Sequence, residues 1–262
     1  MKSDRHMREM RKAVSARRPK ADGVPAPGTR SMRPRTLWLR WVGANALGEL
    51  AGLGGVVVVV AALASAQALP PPIPLFAGMV ALGVMEGAVV GAVQWLAVRP
   101  VLSALRARLW IAATALGAAV AWALGMLPST IMAIGGFAGP ESAPPDISAA
   151  AELGLAAALG AVAGAVLAVF QWRVLQRHVR HARAWIPANA AAWALGMPLL
   201  FWIAGSAPAE GVTAAFAFEA LAWIAAVGGV VGAVHGLALV RLVLPRRRLS
   251  LALPPADRRR YG

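Results

Sequence analysis

Two carboxylates, Glu49 and Glu86, stand in a long apolar stretch that contains no Lys or Arg. The flanking basic residues are Arg40, nine positions before Glu49, and Arg99, thirteen after Glu86. In a helix those separations correspond to ~14 and ~20 Å. At that depth in hydrocarbon a carboxylate charge costs about 2.5–3.5 kcal/mol on insertion scales. Either the two groups are protonated or they face water or a polar partner. Two kinds of chemistry fit them. One is a pair that carries or senses protons, or binds a cation. The other is a structural lock, with a neutral Glu bonded to Asn45, Gln94 or a backbone carbonyl. Asn45, Gly48, Glu49 and Gly52 are spaced i, i+3, i+4, i+7, so they share one helix face, and that face must meet protein rather than lipid. Glu152 and Glu219 fall toward the ends of apolar stretches, within reach of water.

A second set of polar residues recurs. Gln94, Gln171 and His235 each close a similar segment: Gly87-Ala-Val-Val-Gly-Ala-Val-Gln94, Gly164-Ala-Val-Leu-Ala-Val-Phe-Gln171 and Gly228-Gly-Val-Val-Gly-Ala-Val-His235. Asn45, Thr114 and Asn189 occupy matching places in three other segments, which open Trp41-Val-Gly-Ala-Asn45, Trp110-Ile-Ala-Ala-Thr114 and Trp185-Ile-Pro-Ala-Asn189. The six side chains are expected to form a ring about a central axis. Such a ring serves either to bind a headgroup, an ion or water, or to hydrogen-bond the helices together. His235 has the chemistry to ligate a metal or porphyrin, but a single His in a packed helix is more often simply hydrogen-bonded. His178 and His181 lack a third ligand and read as solvated. No metal site and no cofactor is assigned. Hydrolase, metalloprotease and phosphate-loop signatures are missing from the sequence. We therefore expect no catalytic residues and a protein that is not an enzyme.

These residues need elements to position them, and composition says which. The chain is 59% hydrophobic and 14% charged, with a mean hydropathy of +0.64; soluble domains carry about 25% charged residues. Six apolar segments are long enough to cross a bilayer: near 41–66, 74–98, 109–134, 149–172, 185–206 and 213–243. The 26 Lys and Arg residues fall in four clusters, within residues 1–40, 99–108, 173–183 and 241–260. All four lie on one side of a six-span map. Basic residues are retained on the cytoplasmic side, so both termini are expected there. The loop near 135–148 and the shorter one near 205–212 carry only Glu141, Asp146 and Glu210 as charges. Residues 67–73 make a tight turn on that same outer side. Trp38, Trp41, Trp95, Trp110, Trp172 and Trp185 fall where spans meet the basic side, where indoles favour the membrane interface.

The repeated segments divide the membrane part into three units, near 41–98, 109–172 and 185–243. Two odd spans also share Trp122-Ala-Leu-Gly-Met and Trp193-Ala-Leu-Gly-Met, with Pro128 or Pro198 following. Prolines there are expected to kink their helices. The even spans carry small residues every fourth position: Gly83, Gly87, Gly91; Gly160, Gly164, Ala168; Gly228, Gly232, Gly236. Such stripes let backbones approach closely, whether within a hairpin or against another copy. The predicted fold is all-α: a polytopic membrane protein with six transmembrane helices as three tandem, like-oriented hairpins in a pseudo-threefold bundle. A disordered basic tail (1–36) precedes the membrane domain (37–244), and a second basic tail (245–262) follows it. Residues 173–184 are expected to extend the fourth helix at the lipid surface.

The net charge of +15 is accounted for by topology and by anionic headgroups, so nucleic acid is not an expected partner. Arg173, Arg177, Arg180, Arg246, Arg247 and Arg248 are the candidate headgroup contacts. The motif pair resembles a loosely defined set of uncharacterised bacterial multi-pass proteins with recurring Gly-x-x-Gln-Trp and Ala-Trp…Ala-Asn…Leu-Gly segments. That resemblance covers most of the membrane part and implies a bacterial inner-membrane location but no activity. On sequence, a scaffold or accessory subunit, held to a membrane-protein partner or a second copy by its small-residue stripes, stands first. The alternative is a transporter or channel for a small solute or ion, using Glu49, Glu86 and the polar ring.

Overall fold

The computed structural model describes residues 32–135, 148–208 and 214–244. Six helices span them: α1 (Pro34–Ser65), α2 (Pro72–Val98), α3 (Ala107–Ile134), α4 (Ala149–Leu175), α5 (Trp185–Gly205) and α6 (Ala214–Val243). The shortest has 21 residues and the longest 32, lengths of ~30–48 Å. All six are long and apolar enough to cross a membrane. Large apolar side chains such as Val58, Ile73, Leu116, Leu155, Val162 and Phe218 point outward from the bundle, as lipid-facing surfaces require. The chain is an all-α integral membrane protein.

Helix boundaries follow local chemistry. Proline stands in the first turn of α1 and α2, where its missing N–H removes no helical bond. The Ser148 hydroxyl accepts from the Ala151 amide and caps α4. Helix α1 ends with Gln67 in the left-handed region (φ 50°). There the Ala68 amide donates to the Leu63 carbonyl, and the Gln67 amide to that of Ala64. These two bonds satisfy carbonyls that the helix leaves open and make the tight turn expected before α2. Helix α1 begins at Pro34, several residues before the expected span and within the expected tail. The rest of that tail, the C-terminal tail with Arg246, Arg247 and Arg248, and most of the 135–148 loop lie outside the described residues.

The six helices form a closed ring in which each packs on the next and α6 returns to α1. Three hairpins, α1–α2, α3–α4 and α5–α6, share one orientation. The most extensive interfaces are not within these hairpins but between them: α2 with α3, α4 with α5, and α6 with α1. The small-residue stripes explain this. A Cβ on Gly87 would stand 2.8 Å from the Thr114 carbonyl oxygen, one on Gly164 2.6 Å from that of Asn189, and one on Gly228 2.6 Å from that of Asn45. Each stripe is thus filled by the odd helix of a neighbouring hairpin in the same chain.

The helical extension expected over 173–184 does not form. Helix α4 ends at Leu175, and a turn leads through His181 (φ 57°) into a single 3-10 turn, Ala182–Ala184. The physical reason is burial. Leu175, Ala182 and Trp185 all belong to one apolar cluster, so the linker folds back under the bundle to deliver α5. Arg173, Arg177 and Arg180 remain exposed, but they do not share one continuous helical face. Helices α3 and α5 run on past Pro128 and Pro198.

Candidate functional site

The inward faces of the odd helices repeat every four residues. Four residues advance 400° around a helix and ~6 Å along it, so they stay on one face and mark successive levels. On α1 these are Trp41, Asn45, Glu49 and Leu53; on α3, Trp110, Thr114, Ala118 and Trp122; on α5, Trp185, Asn189, Trp193 and Met197. The even helices run back past the same levels, with Gln94, Val90 and Glu86 on α2.

At the basic end lies an aromatic plug. Trp41, Trp110 and Trp185 are at most 1% exposed. Trp185 meets Trp41 edge-on at 5.8 Å, Trp110 at 6.4 Å and the His235 ring at 5.1 Å between centroids. The reading of these three indoles as membrane-interface anchors is therefore corrected: they fill the bundle axis. Interface anchoring fails for them because each sits on the inward face, one turn before its Asn or Thr. The linkers close the same end. Trp95 Nε1 donates to the Leu105 carbonyl (2.9 Å), and Arg99 lies over the Trp95 ring.

One turn farther in is the polar ring. Trp41 Nε1 donates to His235 Nδ1 (2.8 Å), and Trp185 Nε1 to Gln171 Oε1 (2.8 Å). Gln171 Nε2 donates to Thr114 Oγ1 (3.0 Å) and Gln94 Oε1 (3.2 Å), and Gln94 Nε2 to Asn45 Oδ1 (2.9 Å). Asn45, Thr114 and Asn189 each donate to the carbonyl four residues back, those of Trp41, Trp110 and Trp185. The indole bond to the neighbouring even helix forms for Trp41 and Trp185 but not for Trp110. Trp110 Nε1 has no acceptor, because Gln94 is turned toward Asn45 and Gln171. Since His235 Nδ1 accepts, the proton of the neutral ring sits on Nε2.

Above the ring stand the carboxylates. Glu49 is 3% and Glu86 8% exposed. Both line a cavity of about 30 Å³ together with Asn45, Gln94, Thr114 and His235. Such a space fits about two water molecules. Glu86 Oε2 accepts from Trp122 Nε1 at 2.6 Å, a partner the sequence reading did not identify. Glu49 Oε2 is buried and accepts from no donor. Neither carboxylate has a threefold counterpart: the positions matching Glu49 hold Ala118 and Trp193, and those matching Glu86 hold Ala163 and Val227.

A second, larger cavity of about 270 Å³ begins at Glu86 and extends away from the ring, between α3, α4 and α5. Ala118, Ala121, Gly125 and Ala163 leave this space, while Trp122, Trp193, Met126, Met197 and Phe201 wall it. Glu86 is the one ionisable residue in its lining among the described residues.

The eight polar residues singled out in the sequence, Asn45, Glu49, Glu86, Gln94, Thr114, Gln171, Asn189 and His235, are the eight buried polar residues among those described. Glu152 and Glu219 are exposed. Comparison of the chain with family models, with curated proteins and with solved structures gives no match.

Proposed function

We propose that this membrane protein is a carrier for a small solute, with Glu86 as the group that meets the solute and Glu49 as its proton-sharing partner. The observation that carries this is the position of Glu86, at the junction of the larger apolar cavity and the small polar one. Two carboxyl groups on one small buried cavity, with no buried Lys or Arg among the described residues, cannot both ionise at low cost. They are suited to holding one proton between them and releasing it when a cation or donor arrives. An orphaned buried acceptor such as Glu49 Oε2 asks for an explanation, and a site that exchanges protons or small cations supplies one. The plug of Trp41, Trp110 and Trp185 fills the basic end, so in this reading the solute reaches Glu86 from the opposite end. With the basic face cytoplasmic, the cavity serves the outer half of a bacterial inner membrane.

A scaffold held together with its partners by small-residue stripes is less well supported. Those stripes are filled by neighbouring helices of the same chain, which leaves an apolar exterior suited to lipid.

The test is uptake into proteoliposomes under an imposed pH gradient, with a panel of labelled amines, carboxylates, sugars and alkali cations. At least one solute should enter faster than into empty liposomes, and Glu86→Gln should slow it at least tenfold while helix content and elution volume stay unchanged. If no solute moves, or if Glu86→Gln carries as well as the native chain, the carrier reading is wrong.

A further inference from the structure

We infer that the larger cavity binds a lipophilic organic cation, an aliphatic or aromatic amine in its protonated form, with the ammonium on Glu86. The inference deepens the carrier reading and rests on it for the route of entry, but binding can be tested without transport. Three observations converge. The first is charge: Glu86 is the one ionisable group in the cavity lining among the described residues, and the sequence has no Lys or Arg between Arg40 and Arg99. The second is the wall, where Trp122, Trp193 and Phe201 offer aromatic rings and Met126 and Met197 offer thioethers. Aromatic faces attract cations through their quadrupole, and thioethers adapt to varied apolar bodies. The third is size. A cavity of about 270 Å³ is too large for a bare metal ion or a water pair and lies near the lower end of ligand pockets, ~300 Å³.

The exchange balances simply. With the pair holding one proton, an arriving ammonium takes its place beside the Glu86 carboxylate, and the displaced proton leaves to water. No bond other than the O–H bond breaks. Trp122 Nε1, already donating to Glu86 Oε2 at 2.6 Å, holds one carboxylate oxygen in place and leaves Oε1 to receive the ammonium. A neutral alcohol of the same shape would fill the wall but gain nothing from the charge. A carboxylate of the same shape would meet Glu86 as a like charge.

The experiment uses the full chain in lipid nanodiscs, with empty nanodiscs subtracted, and equilibrium dialysis of labelled 4-phenylbutylamine, 4-phenylbutanol and 4-phenylbutyrate. The amine should saturate a single site at least tenfold more tightly than the alcohol, and the acid should not bind. Amine binding in weakly buffered medium should release up to one proton per site. Glu86→Gln should erase the preference for amine over alcohol while alcohol binding shows that the cavity is still formed. Glu86→Asp should keep the preference, and it decides the matter should Glu86→Gln fail to fold. Ala163→Phe, which fills the cavity, should remove binding of both. Equal binding of amine and alcohol by the native chain, or a preference that survives in Glu86→Gln, overturns the inference. Amine binding without flux would sink the carrier reading and leave this one standing. Coupled flux of another solute with no amine binding would do the reverse.

Discussion

Replacing Gly87, Gly164 or Gly228 with alanine is expected to destabilise the bundle, whereas the same change at Gly154 or Gly229 is not. The chemistry of the substitution is identical at all five positions, so the difference isolates packing. At Gly87 the new methyl would lie 2.6 Å from the Ala118 Cβ and 2.8 Å from the Thr114 carbonyl oxygen. At Gly164 and Gly228 it would lie 2.6 Å from the carbonyl oxygens of Asn189 and Asn45. The backbone of the facing helix cannot rotate out of the way, so the two helices must separate. Overpacking of this kind costs about 1–3 kcal/mol, and more when the obstacle is rigid. At Gly154 and Gly229 no atom lies within 4 Å, and alanine there gains up to about 1 kcal/mol of helix propensity. Thermal unfolding in mild detergent should rank the five variants in two groups. Leucine at the three close-packed sites should abolish folding. If all five alanine variants melt together, the stripes are not where the helices meet.

The same three glycines show how much was legible in the chain. Each stands seven residues before Gln94, Gln171 or His235, so the repeat alone places them on equivalent helix faces. The repeat did not say what would fill those faces. Tandem hairpins invite the expectation that α1 pairs with α2, but the tight interfaces join α2 to α3, α4 to α5 and α6 to α1. Partner choice depends on three-dimensional closure of the ring, which no local pattern encodes. The polar residues were legible for a firmer reason: a buried polar group in an apolar segment is costly wherever it lies, so its type alone marks it. The bond from Trp122 to Glu86 was not legible. Its motif matches that of Trp193, which hides a shift of register. Trp122 lies twelve residues after Trp110, while Trp193 lies eight after Trp185. Four extra residues are about one turn, ~6 Å, and they lift Trp122 to the level of Glu86. The cavities were illegible as well, since the larger one arises where Ala118 and, one turn farther from the ring, Ala163 face larger neighbours.

The three plug indoles give the second large effect, because near-identical positions should respond differently. Trp185→Ala should be the most damaging. It removes a fully buried ring that touches Trp41, Trp110 and His235, and it orphans Gln171 Oε1. Truncation of a buried Trp costs about 3–5 kcal/mol. Phenylalanine separates the ring from its N–H. Trp185→Phe and Trp41→Phe keep most of the apolar volume but leave Gln171 Oε1 and His235 Nδ1 without their donors, a penalty of about 1–3 kcal/mol. Trp110→Phe loses no hydrogen bond, because Trp110 Nε1 has no acceptor to begin with. It exchanges an unsatisfied buried donor for a C–H, so it should lie well above the other two phenylalanine variants and close to the native protein. An interface-anchoring role predicts a different order, with all three indoles equivalent and Phe tolerated at each. Unfolding midpoints of the three Phe variants, measured side by side in one detergent, decide between the two. Equal losses at positions 41, 110 and 185 would mean that the hydrogen bonds to Gln171 and His235 contribute nothing measurable. The threefold pattern would then be a matter of ring packing alone.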